Sequence, residues 1–252
     1  MTTICAKKKS LATLLLSVVL SINSISCAQR VTLKESLFPL ESRETLPFQK
    51  CKKLSYEVRF NGIKVGSINF EYQGRKEIEN IPYDIIRVAS NINILKLFQI
   101  QSEELVYVDI SDYLAWKVER EVRFLARKES ILEEYNQKDG SIKITLKKDQ
   151  TLKERLIYQE PPIHNSLILF FLYPLNFEEK LGKTMEFNLP LQEIKVKVKE
   201  LRKIQTLEGI DEVYLLEVSN QRRTLIWIKK GERLPISLEV PAFLGRGVIT
   251  KR

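Results

Sequence analysis

His164 is the single histidine in 252 residues. Acid–base chemistry near neutral pH, or imidazole ligation of a metal, must therefore run through it. A Ser–His–Asp arrangement would need it as the base, yet it follows Pro161-Pro162 and no nucleophile-elbow motif occurs anywhere in the chain. A zinc site would have one imidazole at most and would otherwise rest on carboxylates. The residue reads as structural. Glycoside hydrolysis needs only two carboxyl groups, and Glu103-Glu104, Glu133-Glu134 and Glu178-Glu179 supply doublets. Adjacent residues of a strand point to opposite faces, so these doublets are not expected to converge on one bond. Gly62 and Gly66 are too isolated for a phosphate-cradling loop. The chain is expected to be non-catalytic, without metal or cofactor.

Lys195, Lys197 and Lys199 alternate with Ile194, Val196 and Val198. Spacing by two places three ammonium groups on one face, and the bland reading is the polar side of an amphipathic strand. The alternative is an anionic partner, a membrane surface or an acidic polysaccharide, in keeping with a formal charge of +9.

The N-terminus bears on which partners are available. Lys7 to Lys9 form a positive region, Leu11 to Leu20 an apolar core, and Ser21 to Ala28 a small, polar stretch, the pattern of a secretory signal peptide over 1–28. Ser26-Cys27-Ala28 suits removal before Gln29. Ser24-Ile25-Ser26-Cys27 instead resembles a lipobox that would leave Cys27 acylated, although a bulky aliphatic residue is usual where Ser24 stands. Export to the periplasm, with possible anchoring to the outer membrane through Cys27, removes nucleic acid as a partner and leaves lipid, the membrane surface or envelope proteins. Cys5 and Cys27 belong to that segment, so Cys51 alone gives no disulfide framework.

Residues 29–53, with Pro39 and Pro47, read as a lead-in, and 54–252 as a single β-rich domain. From Leu54 the apolar residues recur at period two. Tyr56, Val58 and Phe60 lead into the turn dipeptide Asn61-Gly62; Ile63 and Val65 return, with Gly66 read as a bulge or a close backbone approach. Further alternation runs through Ile86 to Ile94, Val106 to Ile110, Trp116 to Phe124, Ile142 to Leu146 after Asp139-Gly140, Ile194 to Val198, Val213 to Val218, Thr224 to Ile228, Ile236 to Val240 and Gly247 to Thr250. Arg127 to Asn136 reads as a helical turn or a loop. Leu167 to Tyr173 is apolar on every side, follows the capping residues Asn165 and Ser166, and ends at Pro174; a short helix and a buried strand both suit it.

The expected fold is mainly β. It is a strongly curved antiparallel sheet, a half-barrel or open barrel of about ten to twelve strands, with one short helix packed on the concave face. Phe170, Phe171, Tyr173, Trp227 and Phe243 are the candidates for lining an apolar groove where that segment meets the closing strands.

Three stretches carry a family resemblance: YEVRFNGIKVGSINFEY from Tyr56 to Tyr72, the Asn165-Ser166 lead into the apolar segment, and IWIKKGERLP from Ile226 to Pro235. Together they resemble the bacterial exported domain of unknown function 3108 family over about Leu54 to Arg252. Tyr173 stands where such proteins often carry an arginine. The resemblance implies an exported β-rich domain similar in shape to the half-barrels that shuttle lipoproteins or lipids, and it implies no activity.

Overall fold

Asn61 and Gly62 have φ angles of 48° and 81°, the two positive values that a tight type I′ hairpin turn requires. They join β1 (Lys53–Phe60) to β2 (Ile63–Ile78). Glu79 and Asn80, at 54° and 63°, turn β2 into β3 (Ile81–Ile94) in the same way. The computed structural model describes residues 52–94, 98–125, 127–171, 177–206, 209–219, 223–242 and 245–252. The signal segment and the lead-in as far as Cys51, Cys27 included, lie outside them, and Lys53, expected in the lead-in, opens β1.

The chain continues through β4 (Phe98–Asp109), β5 (Ala115–Phe124), β6 (Arg127–Asn136), β7 (Ser141–Lys148) and β8 (Thr151–Tyr158) to the one helix among the described residues, α1 (Ser166–Phe171). It returns through β9 (Thr184–Leu189), β10 (Gln192–Thr206), β11 (Gly209–Ser219), β12 (Arg223–Lys229), β13 (Pro235–Ala242) and β14 (Gly245–Lys251). All fourteen strands form one sheet in the order β8-β7-β6-β5-β4-β3-β2-β1-β14-β13-β12-β11-β10-β9. Every ladder is antiparallel. The first eight strands build outward from β1 on one side, α1 crosses over, and the last six build back to pair β14 with β1, setting Tyr56 opposite Lys251.

The strand count exceeds the expected ten to twelve. Arg127 to Asn136, expected to be a helical turn or loop, is strand β6, and β8 and β9 also add to the total. The periodicity of β6 was hidden because its inward positions include Glu129 and Glu133, so the apolar signal lapses where the strand does not. Leu167 to Phe171 resolves to helix. The Asn165 carboxamide oxygen accepts from the amides of Leu167 at 2.9 Å and Ile168 at 3.4 Å, which makes Asn165 the cap.

One face of the sheet forms a continuous apolar core, to which Ile168 and Leu169 of α1 belong. The helix therefore packs on the concave face. The two edge strands form no ladder with each other. At one end they are stitched by the crossing segment 159–164: Ile163 bridges Asn188, the Asn188 side-chain Nδ2 donates to the Glu160 carbonyl at 2.8 Å, and the His164 backbone amide donates to the Asn188 backbone carbonyl at 2.7 Å. On the β8 side the Gln137 side chain clamps Ile163 in both directions, each bond 2.9 Å. The wall is thus an open barrel, fastened at one end of its seam. No helix among the described residues is long and apolar enough to cross a membrane.

Candidate functional site

Cross-strand register decides which side chains meet on the concave face, because residues paired across a ladder share a face. One row runs Val88, Glu104, Arg120, Ile131, Leu146, Lys153; the next runs Ile86, Val106, Val118, Glu133, Ile144, Arg155. Glu104, Arg120 and Glu133 are all buried. Arg120 Nε lies 3.0 Å from Glu104 Oε2, and its Nη1 lies 3.4 Å from Glu133 Oε1. The first contact is ionic but off the hydrogen-bond axis, since neither atom meets hydrogen-bond geometry with any group.

The network forms between doublets and not within one. In the two doublets that lie on strands the neighbours do point to opposite faces, Glu103 and Glu134 outward, whereas Glu178 and Glu179 lie in a turn and are both exposed. The inward members of two different doublets nevertheless converge, on a guanidinium. Burial is the largest influence on Arg120 and opposes its charge; Glu104 and Glu133 outweigh it and hold the guanidinium pKa above its ordinary value.

The network reaches the helix. The Tyr135 hydroxyl donates to Glu133 Oε2 at 2.6 Å, with the Asn165 carboxamide beside it. Burial first, then Glu133, pushes the Tyr135 pKa well up. Asn165 therefore caps α1 with its oxygen and ties the helix start to a buried charge cluster on the wall. The signal in the sequence was parity: Arg120 falls on the apolar side of β5 with Val118 and Val122, and Glu104 on that of Val106 and Val108.

The expected groove residues fare differently. Phe170 and Phe171 lie within α1, but their side chains, like Tyr173 and Phe243, fall outside the described residues. Trp227 does not face the helix. Its neighbours Ile226 and Ile228 belong to the core, so Trp227 is on the convex face, opposite Leu215 and Ser237. Periodicity could not decide this, because Leu225 to Ile228 is apolar on both faces.

Lys195, Lys197 and Lys199 are exposed on the convex face, as expected. Lys195 pairs with Glu186 at 2.6 Å, and Lys199 with Glu217 at 3.0 Å, where Arg223 also binds. Two of the three lysines are therefore paired with the sheet's own carboxylates, in keeping with the polar side of an amphipathic strand. His164 is buried edge-to-face on Phe187 with ring centroids 5.1 Å apart, and burial lowers its pKa to about 4. It serves the stitched seam. Among the described residues no group of three or more His, Cys, Asp or Glu side chains is placed to hold a metal. A depression of about 200 Å³ on the convex face of β12 to β14, lined by Arg223, Leu225, Glu239, Pro241, Gly245 and Arg246, contains the Glu239–Arg246 ion pair.

No family model matches the chain, so membership of the domain of unknown function 3108 family is not shown. No curated protein matches it. A solved structure described as a beta-barrel-like protein of domain of unknown function DUF1849 from Brucella abortus is similar at 10% identity, covering 79% of this chain and 94% of that one, with a TM-score of 0.49. That likeness carries no functional argument.

Proposed function

We propose that the chain is a non-catalytic cell-envelope protein, periplasmic or anchored to the outer membrane, that holds a lipid or other apolar ligand on the concave face of its open barrel. In this reading it belongs with the exported proteins of the 3108 family that it resembles. The ligand reading rests on how the concave wall changes along β6 and β7. Ile142 is fully buried, whereas Ile144 and Leu146, two and four residues on, are half-buried, as is Ile131 opposite Leu146. The wall there runs out to the edge strand β8. Half-covered apolar side chains inside a curved wall gain free energy by covering themselves, and an acyl chain supplies that cover.

Mass spectrometry of protein purified from envelope fractions without detergent is the test. Co-purifying acyl species are expected, and Ile144→Glu with Leu146→Glu should remove them without loss of the β circular-dichroism signal. Absence of any bound apolar molecule, together with no uptake of a fluorescent fatty acid, would overturn the ligand. Palmitate labelling that is lost in Cys27→Ser checks the anchored form separately; an unlabelled wild type leaves the periplasmic form.

A further inference from the structure

Strand β8 is an edge that lacks most of the usual protection. Edge strands are commonly kept short, broken by proline or a bulge, or covered. β8 is eight residues long, has no proline or glycine, and keeps unbroken register with β7 from Thr151 to Tyr158. Seven of its eight residues are exposed on both faces.

The hydrogen-bonding groups that no other described residue engages can be assigned. The Gln159 amide bonds the Gly140 carbonyl, continuing the β7–β8 ladder. Residues of an antiparallel strand alternate between bonding one neighbour and the other. The odd residues therefore bond β7, and Leu152, Glu154, Leu156 and Tyr158 turn their amides and carbonyls to the open side.

The side chains beside that open edge are patterned. On the convex face Leu152, Leu156 and Tyr158 are 63%, 54% and 70% exposed, and Glu154 between them is paired with Lys143 at 3.0 Å. On the concave face Lys153 and Arg155 are exposed and make no ion pair among the described residues. Cations on that face discourage indiscriminate pairing, and they also define which strand would be accepted.

A second copy fits poorly. Two β8 strands paired about a two-fold axis normal to the sheet keep faces matched. The two registers of greatest overlap then set Glu154 on Glu154 with Lys153 on Arg155, or Arg155 on Arg155. Like charges directly opposite are destabilising.

We infer that β8 is a docking edge for an extended segment of a partner polypeptide, added as a further antiparallel strand whose residues alternate acidic and apolar. The acidic residues face Lys153 and Arg155 on the concave side. The apolar residues cover Leu152, Leu156 and Tyr158 on the convex side. Main-chain bonds to Leu152, Glu154, Leu156 and Tyr158 supply affinity, and the alternation supplies specificity. This inference is independent of the apolar ligand, since it uses the open edge and not the half-buried side chains of β6 and β7.

The test uses the full exported chain with a fluorescent Val-Glu-Val-Glu-Val-Glu-Val peptide and its counterpart with lysine in place of glutamate. The acidic peptide is expected to bind at least about tenfold more tightly at low salt, and to slow hydrogen exchange at the amides of Leu152, Glu154 and Leu156. Lys153→Glu with Arg155→Glu should reverse the preference. Leu156→Pro, which removes an amide directed away from β7, should abolish binding of both peptides while the thermal melt is kept. Equal binding of both peptides, no binding, or exchange protection confined to other strands overturns the inference. So does self-association of the chain that Leu156→Pro abolishes. Uptake of a fluorescent fatty acid that falls in the Lys153→Glu, Arg155→Glu variant, with no peptide bound, would reassign the two cations to a lumen ligand.

Discussion

The Tyr56 hydroxyl donates a 2.9 Å hydrogen bond to the Pro235 carbonyl, 179 residues further along the chain. Tyr56 is fully buried, with its ring edge-on to Phe70 at 5.7 Å. The bond spans from β1 over β14 to the start of β13, so it locks the midpoint of the sheet where the two halves of the chain meet. Tyr56→Phe keeps the ring packing and leaves the carbonyl without its donor. A loss of about 1–2 kcal/mol is expected in urea unfolding, with an unchanged denaturant slope.

Arg120 is the cation that two buried carboxylates share, and removing it alone strands both. Arg120→Leu is expected to cost about 3–5 kcal/mol or to prevent folding. Replacing Glu104, Arg120 and Glu133 together by apolar residues should recover most of that loss, because no buried charge is then left uncompensated. Thermal melts of the two variants side by side check this; equal destabilisation would mean that the network acts through shape and not through charge.

The seam should be sensitive to acid. Burial lowers His164 to about 4 from 6.5, so between those values the unfolded chain binds a proton that the folded chain does not. The stability tied to the neutral ring is complete above pH 6.5 and is lost as pH falls towards 4, to a total of about 3 kcal/mol. Urea midpoints measured from pH 7 to 4.5 should fall with pH in the wild type and stay nearly level in His164→Gln.

Two glycines should respond in opposite ways. A Cβ at Gly66 would lie 2.1 Å from the Asn91 carbonyl oxygen and 2.8 Å from the Ile92 Cα, both backbone of β3. Gly66→Ala should cost about 3 kcal/mol or more by forcing the ladder apart. At Gly231 no atom lies within 4 Å of the added carbon, so Gly231→Ala should be neutral or stabilising by up to about 1 kcal/mol.

Particular elements show how much was legible beforehand. Asn61-Gly62 announced its hairpin because few other residues tolerate two successive positive φ angles. Gly66 was read as a bulge or a close approach and is both: the β1–β2 register slips beside it, and β3 presses against it. The apolar segment was read as helix or strand, and Asn165 settles it by capping. Strand β6 was hidden by its inward glutamates. Trp227 was assigned to the wrong face, since both faces of its strand are apolar.

The sequence by itself determined the alternation that makes β structure, the turns that demand particular backbone angles, and which kinds of side chain are available for chemistry. Those are local properties, set by residues a few positions apart. Tertiary structure alone decided that Glu104, Arg120 and Glu133 meet, that Trp227 faces outward, and that β8 ends the sheet. Each depends on strand order and register, and register is set by the packing of a whole face of the sheet. A shift of one residue would turn every side chain of a strand to the other face, so no short stretch of sequence carries that information alone.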